Sequence, residues 1–314
     1  MNTDYLKQVM DTVKSRFVLA ENSEITLELN PGDVNHDNMA IWTDTGFNRF
    51  SLGVQSLDND ALNLLGRRHN ADEAVRAIDI IRQWTTMKNR TDVGKRLRFN
   101  IDLIMGIPGQ SEVSWLETLI QALNCRPDHI SCYQLTVEQD TSLSEIIDSG
   151  IIQPVSESMD TKLFELTHQT LTTNGYIHYE ISNYAYGYDN FSKHNLKYWF
   201  HIPYLGIGSS AHSYDGTTRW WNTSDMDTYC DNIKTGLPVI DGFETVDNRK
   251  KRNEAIFLQL RTQWGLDRNL FGKVPELMEK LVQGEFIVMT GSRFRPELSG
   301  MAIADHLAEL LLEI

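Results

Sequence analysis

Strand-like and helix-like segments alternate along this chain about every 25 to 45 residues, and that rhythm restricts the fold more than any other feature. An amphipathic helix opens the chain, with Leu6, Val9, Met10, Val13 and Phe17 at helical spacing and Asn2 or Thr3 placed to cap it. Residues 24–29 (EITLEL) read as a strand stopped by Asn30-Pro31-Gly32, and residues 49–54 (RFSLGV) as a second, with a short helix at 37–45 between them. Helices at 58–65 and 72–84 follow, the latter with a stripe of Ala74, Val75, Ile78 and Ile81. A polar insertion at 88–95 leads to a third strand at 97–105 (LRFNIDLIM). A helix at 113–123, with Trp115, Leu116, Leu119 and Ile120 on one side, precedes a fourth strand at 129–135 (HISCYQL). A helix at 158–173, stopped near Asn174-Gly175, and a fifth strand at 178–181 complete the series. Near-continuous apolar strands separated by helices predict an α/β fold, with a parallel sheet covered by helices.

The polar residues on these strands fall in a telling place. Glu28, Gln55 and Asp102 each stand at or near the C-terminal end of a strand, and Gln134 and Glu138 follow the fourth. In βα barrels that rim is where chemistry is done, although strand ends are polar for ordinary reasons too. A second concentration lies at residues 178–213, where His178, His194, His201 and His212 sit among tyrosines and tryptophans around a Gly-rich turn. So aromatic yet so irregular a stretch reads either as a site or as a surface loop pinned to a core.

From Phe243 the pattern changes to helices at 249–261, 273–282 and 301–312 with a small hairpin at 286–289 and 293–295. This is the inventory of a winged-helix module, with a boundary near residue 240 around Gly236-Leu237-Pro238. The predicted organisation is therefore a βα domain over 1–240 and a winged-helix-like domain over 241–314. The latter lacks a sustained basic recognition helix, and the formal net charge of -14 argues against a nucleic-acid partner. A packing or lid role fits it better. No apolar run reaches the roughly 18 residues of a membrane helix. Cys125, Cys132 and Cys230 are too scattered for a disulfide framework, a zinc set or a Cys-x-x-x-Cys-x-x-Cys loop, which suggests reduced cytoplasmic thiols.

Seven motifs in order then carry a family resemblance: TLELNPG (26–32), GFNRFSLGVQSLDNDALNLLGRRHN (46–70), IDLIMGIPGQS (101–111), HISCYQLTVEQDT (129–141), YEISNYA (179–185), HNLKYW (194–199) and YLGIGSSAHS (204–213). Together they closely resemble the HemW-type radical-SAM haem chaperones, relatives of oxygen-independent coproporphyrinogen III oxidase. The resemblance is strong over about residues 20 to 215 and weaker beyond. It implies a (βα)6 radical-SAM barrel that binds S-adenosylmethionine and a [4Fe–4S] cluster. It also implies that Glu28, Gln55, Arg67 and Asp102 form the S-adenosylmethionine pocket. Carboxylates and an amide suit ribose hydroxyls and an amino group, and an arginine fork suits a carboxylate. HNLKYW matches a signature associated with haem, implying that His194, Asn195, Tyr198 and Trp199 bind it, with His194 on the iron. A neutral imidazole is a standard haem ligand, and aromatic rings can cover a flat macrocycle. The implied partners are haem and haem-acceptor proteins, with peripheral contact where an acceptor is membrane-bound.

One departure stands out. The family's cluster loop and its Gly-Gly-Gly-Thr-Pro turn do not occur in these 314 residues, and Met1 falls in the helix that follows that turn in the family. The expectation is a partial barrel missing its first βα units, with an exposed sheet edge and without radical chemistry. A fragment, half of a split gene and a degenerate haem-binding homologue all fit. The leading functional expectation is a haem chaperone without cluster chemistry. Its rival is an oxygen-independent coproporphyrinogen III oxidase making two oxidative decarboxylations. An unrelated βα-barrel enzyme using Glu28 and Asp102 as acid and base is the third.

Overall fold

The structure, a computed structural model, describes residues 2–91 and 96–312. The chain divides into two compact units, Met1–Phe191 and Ser192–Ile314.

The first unit runs α1 (Thr3–Arg16), β1 (Thr26–Leu29), α2 (His36–Thr45), β2 (Arg49–Gln55), α3 (Asn59–Leu64), α4 (Ala71–Thr91), β3 (Arg98–Met105), α5 (Glu112–Asn124), β4 (His129–Gln134), α6 (Ser142–Asp148), α7 (Glu157–Thr173), β5 (Ile177–Glu180) and β6 (Asn183–Ala185). Local chemistry sets several of these boundaries. The Asn2 side chain caps α1 by accepting from Asp4 N–H, as its sequence position suggests. Gly46 ends α2 in the left-handed region at φ 113°, which costs a glycine little. Ser111 and Ser114 form a reciprocal box at the start of α5.

Strands β1 to β4 are parallel and in sequence order, as the alternation predicts. The sheet as a whole is mixed, however. β6 runs antiparallel between β4 and β5, in the order β1-β2-β3-β4-β6-β5. The fifth strand is thus one arm of a hairpin turning at Ile181-Ser182. That turn carries no Asn-Gly or Asp-Gly signal; the Glu180 carboxylate accepts from Ser182 N–H instead.

The strands also alternate rather than run continuously apolar. Phe50, Leu52 and Val54, with Phe99, Ile101, Leu103 and Ile130, face buried Ile78, Ile81, Trp115, Leu119 and Leu163 in the core. The opposite face is polar, carrying Ser51, Asn100, Asp102, His129 and Ser131 in neighbouring register. One-sided burial of this kind produces a period of two. At the foot of that face Arg49, buried, pairs with Glu24 at 3.4 Å and donates to Asn190 O at 3.1 Å.

Three helices differ from expectation. α4 continues through Thr91, so the first half of the polar 88–95 stretch is helical, while 92–95 lie outside the described residues. α6 has no buried residue to mark it by periodicity and is set by a Thr141–Ser144 capping box. In α5, Ile120 of the anticipated apolar side is exposed, and Thr118 and Ala122 are buried instead.

The second unit contains α8 (Lys193–Trp199), β7 (His212–Tyr214), β8 (Thr218–Asn222), α9 (Met226–Thr235), β9 (Ile240–Thr245), α10 (Asn248–Gln259), β10 (Leu266–Asp267), α11 (Glu276–Gln283), β11 (Ile287–Thr290), β12 (Arg293–Pro296), α12 (Leu298–Ala302) and α13 (Ala304–Leu312). β7, β8 and β9 form an antiparallel sheet, and β10, β12 and β11 a second one. The boundary read near residue 240 falls at the first residue of β9, inside the first of these sheets. Ile256, Leu260, Leu266, Met278, Phe294, Leu307 and Leu311 are buried and make this unit's core. The anticipated terminal helix is two helices, because Ile303 leaves helical backbone at φ -121°.

Candidate functional site

Gly53 is the point on which the first group of polar residues converges. It lies in β2 opposite Asp102 of β3. A Cβ at this position would stand 2.9 Å from Gln55 Nε2 and 3.7 Å from Arg67 Nη2, so the two side chains occupy the space a larger residue would fill. Gln55 gets there through a register shift between Gly53 and Gln55 and a left-handed φ of 67°. A bulge of this type re-aims a side chain at the end of a strand. For a non-glycine residue the left-handed backbone costs roughly 1–2 kcal/mol. Arg67 follows the turn after α3 and donates to Asn30 Oδ1 at 3.3 Å, at a cleft of about 440 Å³ lined by Asn30, Gly32, Arg68 and Glu73 among others.

Asp102 is held from two sides. Ser51 Oγ donates to its Oδ2 at 2.8 Å, and Asn100 Nδ2 to its Oδ1 at 2.6 Å. Burial pushes its pKa above the usual carboxylate value, while hydrogen bonds from Ser51, Ser131 and Asn100 pull it back and the charge of Glu28 adds to the rise. Glu28 lies on the same face, opposite Ser51 in β1. Burial separates the expected residues: Glu28 is exposed, and Gln55 and Asp102 are half-buried rather than enclosed. The reason is position, since among the described residues β1 pairs with β2 alone. Gln134 is engaged elsewhere, donating to Asp160 Oδ1 at 2.7 Å, and Glu138 is exposed.

The second group stands on α8 in the other unit. Ser192 caps this helix, its side chain accepting from Asn195 N–H. His194 and Tyr198, four residues apart, share a face and meet edge to face at 5.0 Å between ring centroids. Tyr198 in turn meets Tyr204 at 4.8 Å. Trp199 Nε1 is buried without a hydrogen-bond partner among the described residues. Tyr198 opens on a cavity of about 420 Å³ that Tyr204, Tyr214, His201, Phe257 and Leu258 also line.

His201, one of the four histidines of the 178–213 stretch, is grouped here with Arg219, which the sequence does not single out. His201 Nε2 lies 2.8 Å from Glu254 Oε2. Arg219 grips Glu254 with two contacts of 3.0 and 2.7 Å and reaches Glu244 at 2.7 Å. Burial lowers the His201 pKa, Glu254 opposing it. Arg219 carries no signal in the sequence, because only the pairing of β8 with β9 brings it to Glu244. His178 is structural: it stacks on Tyr184 at 4.2 Å and approaches Ile181 O at 3.3 Å. His212 is exposed, 5.8 Å from the Trp221 ring. In the first unit, Asn100, Ser131 and His129 were legible as the polar half of the strand alternation, a signal lost when the strands were read as continuously apolar.

Comparison with known proteins covers both units. Residues 1–122 match the radical SAM superfamily. The heme chaperone HemW of Haemophilus influenzae is 32% identical over 326 residues, spanning 99% of this chain and 79% of that protein. The heme chaperone HemW of Mycobacterium tuberculosis is 29% identical over 309 residues, spanning 98% and 76%. Among solved structures, coproporphyrinogen III oxidase (HemN) from Escherichia coli superposes with a TM-score of 0.78 at 18% identity, over 98% of this chain and 74% of that one. That likeness concerns the radical-SAM fold.

Proposed function

Because this chain belongs to the HemW family of radical-SAM proteins, we propose that it binds haem and passes it to acceptor proteins, with S-adenosylmethionine held around Gly53. The arrangement of α8 is the observation that carries the reading. It sets the His194 imidazole against Tyr198, and Tyr198 borders an aromatic cavity. Such a group offers a nitrogen ligand to haem iron and flat apolar faces to the macrocycle. Lys197 at the same cavity supplies positive charge suited to the propionates. Asn195 and Trp199 complete the haem-binding set.

In the pocket of the first unit, Arg67 would hold the carboxylate of S-adenosylmethionine, and Glu28, Gln55 and Asp102 its amino and hydroxyl groups. The absence of a side chain at Gly53 lets Gln55 and Arg67 stand side by side, where both would meet such a ligand. A [4Fe–4S] cluster does not fit the thiols present. Cys132 is buried in β4, where burial pushes its thiol up, and Cys125 donates to Gln121 O at 3.3 Å from the end of α5. These two, with Cys230 on α9 in the second unit, do not make a thiolate set, and no step of this reading runs through a cluster. We read the βα region as a partial (βα)6 barrel and the C-terminal segment, expected over 241–314, as a winged-helix-like packing module. The recipients are haem-acceptor proteins; among the described residues no helix is long and apolar enough to cross a membrane.

Titrating the purified chain with haem tests the reading. His194→Ala is expected to shift the Soret band and weaken binding by roughly tenfold or more. An unchanged spectrum and stoichiometry in that variant removes His194 as the ligand.

A further inference from the structure

A continuous chain of hydrogen bonds crosses the polar side of the first unit and ends on Asp102. The Tyr179 hydroxyl lies 2.7 Å from His129 Nε2, and His129 Nδ1 lies 2.5 Å from Asn100 Oδ1. Asn100 Nδ2 then donates to Asp102 Oδ1 at 2.6 Å. The sheet explains the adjacency: His129 stands opposite Asn100 across β4 and β3, and Asn100 and Asp102 are two apart on one strand. Tyr179, His129 and Asn100 are all buried.

With Asp102 ionised, only one proton arrangement satisfies every member around a neutral ring. Ionised Asp102 can only accept, so the Asn100 amide turns its NH2 group toward it and its oxygen toward His129. That oxygen also only accepts, so His129 Nδ1 carries the ring proton. Nε2 is then bare and accepts from the Tyr179 hydroxyl. Reversing any link sets two buried donors or two buried acceptors against each other, at about 1–3 kcal/mol for each group left unmade. The charged groups facing this ring are Arg49 of β2 and, through Asn100, Asp102. Burial and the Arg49 charge both disfavour an imidazolium. Stacking on Phe191 at 4.2 Å between centroids fixes the Tyr179 ring in turn.

We propose that His129 is a positioning residue: as the neutral Nδ1–H tautomer it locks the Asn100 amide, and through it the Asp102 carboxylate, in the orientation that receives ligand hydroxyls. Ser51 and Asn100 anchor the two carboxylate oxygens, leaving the remaining lone pairs for a diol such as a ribose. The inference rests on the reading of Asp102 as part of the S-adenosylmethionine pocket.

Two measurements on the full chain test it. In long-range 1H–15N spectra of histidine-labelled protein, His129 is expected to show a neutral ring protonated at Nδ1 from about pH 5 to 9, a range that spans the ordinary histidine titration. An Nε2-protonated ring, or titration in that range, overturns the proposal whatever the ligand does. Equilibrium dialysis with S-adenosylmethionine supplies the second measurement. His129→Phe should weaken binding roughly tenfold, and His129→Gln, whose amide still donates to Asn100, should recover to within about threefold. Unchanged binding in His129→Phe with loss in Asp102→Asn overturns the positioning role and leaves the pocket assignment standing. Unchanged binding in both, or none in the unaltered chain, removes Asp102 from the pocket and the positioning role with it. Thermal melts check folding; should His129→Phe fail to fold, His129→Gln carries the binding test and Tyr179→Phe the tautomer test, since Asn100 Oδ1 still requires the Nδ1 proton there and an Nε2-protonated ring in that variant overturns the proposal.

Discussion

Gly53 shows how much one absent methyl group can decide. Its missing Cβ leaves room for the Gln55 amide and the Arg67 guanidinium side by side. In Gly53→Ala the new carbon would meet Gln55 Nε2 at 2.9 Å, the movable end of a flexible side chain, so the amide shifts and the strand remains. We expect the unfolding free energy to change by less than about 1 kcal/mol, since alanine also restricts the unfolded chain. Affinity for S-adenosylmethionine, read by equilibrium dialysis, should fall by roughly tenfold. A variant that binds as tightly as the parent would show that Gln55 and Arg67 do not meet the ligand at this spot. The glycine was visible in the sequence, within RFSLGVQ, but its neighbours depend on a bulge and a turn that no local pattern announces.

At the level of elements, the β5–β6 hairpin carries two titratable groups with opposite effects on stability. Burial raises Glu180 to about 8, and burial with His168 alongside lowers His178 to about 3. Folded Glu180 keeps a proton that the unfolded chain has released, so its contribution falls as pH climbs from its ordinary value of about 4.5 to 8. His178 works the other way: the unfolded chain binds the extra proton between about 6.5 and 3, so stability is lost on acidification through that window. Relative to Glu180→Gln, the parent should lose on the order of 1 kcal/mol per pH unit between about pH 4.5 and 8, and nothing further above. Urea unfolding of both proteins across that range measures it. A constant difference would mean that Glu180 ionises normally in the folded chain. The strand itself was evident from YEIS, whereas its return was not, because a carboxylate rather than a glycine closes the turn.

For the molecule as a whole, the division into two units makes one prediction local. Arg219 joins β8, β9 and α10 through Glu244 and Glu254. Removing it leaves two carboxylates facing each other's field beside His201. Because these groups are partly exposed, solvent screening limits the cost, and Arg219→Ala should lose about 1–2 kcal/mol. Hydrogen exchange should quicken across residues 212–259 and stay unaltered in β2 and β3. Faster exchange spread evenly over both units would show that the ion network does not serve the second unit alone.

Residue order was enough to establish the βα alternation, the helix caps and the strand-end position of Glu28 and Gln55, because each depends on periodicity or on neighbours a few places away, whereas Asp102 stands in the middle of β3 rather than at its end. It also carried the family, through motifs whose spacing survives in the chain. Packing alone settled the insertion of β6 between β4 and β5, the convergence on Gly53, the polar relay through His129, and the grouping of His201 with Arg219 and Glu254. Those features join residues many positions apart, and in the first unit they meet because burial of one sheet face brings the opposite, polar face into register.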